Sequence, residues 1–182
     1  MSYPDFTHDG HCKATDPINL IFRKLSGDLS TQEIERLLES DGWGAPWFAW
    51  THHLHPTQNG KCDQKFQKVL GSLFSRSHIR LWEWNGEAVA NAHEETLSIG
   101  LGTHVRIKHE PAEEYVGDVF EQGGWTVKRN SQALNNFKSH PRNDGKATVI
   151  ENSRFMSDAP FSIPEESLSP EERAKRLGNV IF

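Results

Sequence analysis

The sequence predicts a single α+β domain on a mixed, mainly antiparallel sheet. Residues Ser77 to Trp84 alternate side chains as a strand does, then pass through Asn85-Gly86 into a second alternating segment, Glu87 to Glu94. Asn-Gly is the strongest short hairpin signal, because both turn residues must accept positive φ. A third segment, Thr103 to His109, repeats the alternation. Apolar stripes at helical spacing, ended by glycines, supply the covering helices. The expectation is about six strands and three helices, at 31 to 41, 63 to 74 and 112 to 122. With 182 residues the chain can bury a substantial core in one domain. Its expected organisation is an N-terminal arm over 1 to 16, the α+β domain over 17 to 152 and a tail over 153 to 182.

The elements follow in order. Residues 1 to 16 are polar and rich in turn formers, and they read as an extended arm ending at Asp16-Pro17. Ile18 to Leu25 is a β-favouring run, with Ile18, Leu20 and Phe22 on one face and Ile21 on the other, as in an interior strand. Ser30 and Glu33 form a capping box ahead of the stripe Ile34, Leu37 and Leu38, and Asp41-Gly42 ends that helix. Trp43 to Trp50 reads as an edge strand, because Pro46 cannot donate to a ladder. Thr51 to Gly60 is a loop carrying His52, His53 and His55.

Asp63 to Phe74 sets Phe66, Val69, Leu70 and Leu73 at helical spacing. It predicts a helix in which Gly71 costs roughly 1 kcal/mol relative to alanine. Pro111 to Gln122 is a further helix, with Pro111 in its first turn, Tyr115, Val116, Val119 and Phe120 inward, and Gly123-Gly124 as the stop. Trp125 to Lys128 and Ala147 to Glu151 read as strands, joined by a polar loop from Asn130 to Lys146. After Ser153 the chain is rich in proline and charge, and Ser169-Pro-Glu-Glu172 opens a short C-terminal helix. Strand Ile18 to Phe22, its helix and Gly42-Trp43 correspond in order to strand His104 to Ile107, its helix and Gly124-Trp125. That echo suggests two similar strand-helix lobes.

Composition narrows the function classes. A formal net charge of -5 argues against a general electrostatic grip on nucleic acid or anionic lipid. The start lacks a basic segment followed by an apolar one, and the apolar runs fall far short of the ~20 residues a membrane helix needs. A cytoplasmic protein with no membrane partner is expected. Two cysteines, Cys12 and Cys62, are too few for a disulfide framework and are expected as free thiols. Ten histidines against two methionines keep metal and acid–base chemistry in view.

The candidate site is the sheet face on which a His-apolar-Arg pattern occurs twice. His78, Arg80, Trp82 and Trp84 share a face of one strand, and His104 and Arg106 share a face of another. Arginine offers a fixed fork of donors for phosphate or carboxylate, and a neighbouring histidine can exchange a proton. His78 and His104 are therefore expected as acid and base, and Arg80 and Arg106 as anion binders. Asn91 and His93 join them if the register of their strand allows. The expected partner is a small anionic ligand and the expected chemistry phosphoester hydrolysis. The competing reading is a non-enzymatic module whose aromatic and charged sheet face meets another protein or another copy.

Other signatures are weaker. Two-histidine phosphoesterases carry Ser or Thr two residues after His, where Arg80 and Arg106 stand here; the only such match is His55-Pro56-Thr57 in a proline loop. Cys12, Cys62, His11, His52, His53 and His55 have the donor chemistry of a tetrahedral zinc site, but no regular ligand spacing supports one. His8, Asp9, Glu94 and Glu95 have donors for a hard cation and read equally well as a solvated face. Gly-x-Ser-x-Gly is absent, which argues against a serine nucleophile, and no cofactor is expected, since Gly100-Leu-Gly102 lacks the third glycine of a dinucleotide loop. Trp43, Trp47, Phe48, Trp50, Trp82 and Trp84 read mostly as core.

Asp16-Pro-Ile-Asn-Leu20, Asp41-Gly-Trp43, Ser77-His-Ile-Arg-Leu-Trp82 and Thr103-His-Val-Arg106 occur in an order that resembles the LssY C-terminal domain family. That family shows an Asp-Pro-x-Asn-Leu start, a Gly-Trp, an Arg-His-His-x-Arg-Leu-Trp-like strand and a later Thr-His-His segment. The resemblance covers Asp16 to Trp125. Ser77 replaces the first histidine of the doublet, and Val105 stands where a second histidine is often found. It implies a domain boundary more than a reaction.

Overall fold

The computed structural model describes residues 3–8, 14–25, 29–46, 64–72, 75–98, 103–135 and 144–152, with only the backbone described for 14–15, 97–98 and 103–107. In chain order the elements are β1 (Phe6–His8), β2 (Ala14–Pro17), β3 (Leu20–Lys24), α1 (Thr31–Ser40), β4 (Gln64–Gly71), β5 (Ser75–Trp84) and β6 (Glu87–Ser98). They continue with β7 (Thr103–Lys108), α2 (Glu110–Gln122), β8 (Thr126–Ala133) and β9 (Lys146–Asn152). Seven strands form one sheet in the order β4-β5-β6-β3-β9-β8, with β7 also paired to β6. Every pairing is antiparallel except β3 with β9. The expected mixed, mainly antiparallel α+β domain is what forms. No helix among the described residues is long and apolar enough to cross a membrane.

The hairpin at Asn85-Gly86 forms with both residues at positive φ, 52° and 82°. Its two-residue turn pairs Trp84 with Glu87 and carries the register back to His78 opposite His93. Strand β6 is the branch point. On the edge away from β5, Ala88 to Ala90 pair with β3, whereas Glu94 to Ser98 pair with β7. Between the two partners the Asn19 side chain completes the ladder: its amide donates to the Ala92 carbonyl at 2.9 Å and accepts from the Ala92 N–H at 2.8 Å.

Alternation divides the sheet into two faces. Leu20, Phe22, Ile79, Leu81, Ala88, Ala90, Ala92 and Ile150 pack with the apolar stripes of α1 and α2, including Ile34, Leu38, Val116 and Phe120. The opposite face holds a smaller cluster of Ile18, Ile21, Trp82, Val89, Ala147 and Val149, with Tyr3 against it. Both helices end alike. Gly42 and Gly124 take positive φ, and the next N–H, of Trp43 or Trp125, returns to the carbonyl of Leu38 or Phe120. This is the glycine-terminated helix stop, so the sequence echo has a structural counterpart. Its two strands, β3 and β7, lie on the same edge of β6 within one sheet.

Several expectations are corrected. Residues 64 to 71 form strand β4 and not a helix, pairing with β5 from Gln64↔Trp82 to Gly71↔Arg76. Two helices, not three, cover the sheet among the described residues. Spacing misleads here because Phe66 and Val69 face opposite ways: Phe66 and Lys68 are buried, and the ammonium of Lys68 is held by Glu35 at 2.7 Å and Glu39 at 2.6 Å on α1. Ser30 stands at the N-cap of α1 without a side-chain cap bond, and Glu33 accepts from the Asn152 amide instead. Where an arm was expected, β1 and β2 form a two-stranded sheet that buries Thr7 and Asp16. Of Trp43 to Trp50, Gly44 makes an isolated bridge to Val69. Trp47 to Trp50, the His52–His55 loop, Cys12, Cys62 and the C-terminal tail lie outside the described residues.

Candidate functional site

The site lies at the fork of β6, on the face away from the helices. Register places His78, Arg80, Asn91, His93 and Glu95 on it together, because His78 pairs with His93, Arg80 with Asn91 and Arg76 with Glu95. All but Arg76 are buried, as are Asp16 and His109. The His93 ring lies 5.2 Å from that of His78 and 5.8 Å from that of His109, centroid to centroid.

Glu95 organises the cluster. Its Oε1 lies 3.1 Å from Nδ1 of His78 and 2.9 Å from Nε2 of His93. Its Oε2 accepts from Nε of Arg76 at 3.0 Å. Burial alone would raise the Glu95 carboxyl; the imidazoles of His78 and His93 against it overcome burial and hold the group well below the usual carboxylate range. Burial pushes the His78 imidazole down to about 3, with the charges of Arg80 and His93 acting the same way and Glu95 opposing. His78 is accordingly neutral at pH 7. Its Nε2 is buried and has no hydrogen-bond partner among the described residues.

One tautomer follows from geometry. The Asn91 amide nitrogen donates to the Pro17 carbonyl at 2.6 Å, which fixes the orientation of the amide. Its oxygen then faces Nδ1 of His93 at 2.7 Å, so Nδ1 carries a proton and donates it. The other ring nitrogen, Nε2, is the one turned to Glu95.

The sequence-predicted residues divide. His78, Asn91 and His93 meet as described. Arg80 is buried against the protein's own Asp16, Nη1 to Oδ2 3.3 Å. The anion it meets in this structure is therefore internal. His104 pairs through its backbone with Leu97 and Arg106 with Glu95; their side chains lie outside the described residues. Asp16, His109 and the role of Glu95 were missed. Counting back from the Asn85-Gly86 turn gives His78 opposite His93, and Glu95 follows by alternation. No local signal announces Asp16, which approaches Arg80 from 64 positions away. Among the described residues, two groups have donor atoms within 4.8 Å of one another, as metal ligands do: His78 with His93 and Glu95, and Asp16 with His93 and His109.

A second perturbed carboxyl sits under the opposite face. Glu113 on α2 is buried, and burial raises its acid to about 8, with Glu110 and Asp144 adding to the rise and Thr148 opposing it.

The fold and cluster thus define an α+β domain with a buried imidazole–carboxylate centre. Comparison of the chain with protein-family models, with curated proteins and with solved structures gives no match.

Proposed function

We propose that this centre hydrolyses a small anionic ester, with phosphoesters the first class to test. The observation that carries the reading is the single Glu95 oxygen shared by His78 and His93. A carboxylate that orients an imidazole is the arrangement by which enzymes prepare a base for proton transfer. Arg76 and Arg80 bring positive charge to the same face. Arg80 is engaged with Asp16, so Arg106, opposite Glu95 in register, is assigned the substrate anion, with His104 beside it on β7. Kinship with LssY C-terminal domains belongs to the same proposal: Asp16, His78 and Arg80, within the resembling motifs, lie in the buried cluster, and Asn19 closes the fork of β6 beside it. So does a cytoplasmic setting.

The test is turnover by purified protein on a panel of phosphomonoesters, phosphodiesters and carboxylic esters. His78→Ala and His93→Ala are expected to lower turnover by about a hundredfold or more, and Arg106→Ala to raise KM more than it lowers kcat. No turnover on any member, or turnover indifferent to both histidines, removes the hydrolytic reading.

A further inference from the structure

We infer that His78, His93 and Glu95 form a binding site for one divalent first-row transition-metal ion. The inference shares residues with the hydrolytic reading but does not depend on it, since an ion can be held without turnover.

The argument begins at His93. With Nδ1 committed to Asn91, its remaining nitrogen lies 2.9 Å from a carboxylate oxygen. A neutral ring would bring two lone pairs face to face. Either a second proton or a cation must lie between them.

Three features favour the cation. The distances from Oε1 to the two imidazole nitrogens, 2.9 and 3.1 Å, are close to the ligand–ligand spacing of roughly 3.0–3.4 Å set by metal bonds near 2.1 Å. The donor set, two imidazoles and a carboxylate, is the one proteins use for zinc or iron(II) while leaving a position open. His93 also donates its other N–H to an oxygen itself held in place, Asn91 fixed by Pro17, as metal-ligating histidines do.

His93 has one free lone pair and serves one ion. Its short approach to Glu95 selects the trio with His78 over the trio with Asp16 and His109.

The test is zinc(II) and cobalt(II) binding by the full chain, stripped with chelator, followed by calorimetry and by elemental analysis after dialysis. The expected result is one ion per chain, with visible cobalt bands of a site lower than six-coordinate. His78→Ala and Glu95→Gln should weaken binding by about a hundredfold or more, and Asn91→Ala by about ten- to a hundredfold. His109→Ala, and the combined replacement of Cys12, Cys62, His52, His53 and His55 by alanine, should leave it within a few-fold. Wild-type protein offers a readout that needs no variant: zinc should shift the side-chain nitrogens of His78 and His93 in NMR spectra.

Absence of stoichiometric binding overturns the inference. So does binding lost with His109 or the loop replacements but kept with His78→Ala. Binding without hydrolysis supports the metal site and removes only the hydrolytic reading.

Discussion

His78 and His93 stand opposite each other on neighbouring strands and approach the same oxygen of Glu95, at 3.1 and 2.9 Å. Neither residue could reach that arrangement without the two-residue turn at Asn85-Gly86. A one-residue slip would send one of the imidazoles to the helix side of the sheet. The site therefore depends on the register of a single hairpin.

Asn19 should support that register. Its amide replaces the missing strand between β3 and β7 by pairing with both backbone groups of Ala92. Asn19→Ala leaves a buried N–H and a buried carbonyl unpaired and is expected to cost about 2–4 kcal/mol in urea denaturation. A loss below about 0.5 kcal/mol would show that the fork closes without it.

Gly71 separates the strand from the helix first expected over Asp63 to Phe74. In the strand it takes φ +118°, and an added Cβ would lie 2.7 Å from the Ser75 carbonyl oxygen. Gly71→Ala should destabilise by about 2 kcal/mol. In an exposed helix the same change would stabilise by roughly 1 kcal/mol, so the sign of the change in melting temperature decides.

The Asp16–Arg80 pair ties the N-terminal strands to the centre of the sheet. Asp16→Asn removes the charge opposite a buried guanidinium and is expected to cost about 3 kcal/mol. Unchanged stability would mean that the pair is not formed in solution.

Glu113 gives stability a pH slope of known sign. Its folded-state value, raised from 4.5 to about 8, means that the folded protein holds the proton more tightly than the unfolded chain does. The group's contribution is complete below about pH 4.5 and is lost as pH rises toward 8, a change on the order of a few kcal/mol. Glu113→Gln should flatten that part of the pH–stability curve and be the more stable form at pH 8. Parallel curves for the two proteins would contradict it.

Much of this was legible locally. Asn85-Gly86 fixed its hairpin, and alternation placed Asn91 and His93 on one face. The Gly42-Trp43 and Gly124-Trp125 pairs marked helix ends because only glycine adopts that turn cheaply. Residues 64 to 71 were misread because an apolar spacing that suits a helix also suits a strand whose buried polar member, Lys68, is neutralised from elsewhere by Glu35 and Glu39. The roles of Asp16 and Glu95 were not legible either. They arise from contacts between segments distant in sequence, or from sharing one carboxylate between two strands, and neither leaves a local pattern.

The most direct test is the tautomer of His93 in metal-free protein at pH 7, read from long-range proton–nitrogen NMR correlations. The account predicts a proton on Nδ1, donated to Asn91. A neutral ring protonated on Nε2 alone would contradict it, since Asn91 would then not be seated on Pro17 and Glu95 would face an ordinary N–H donor.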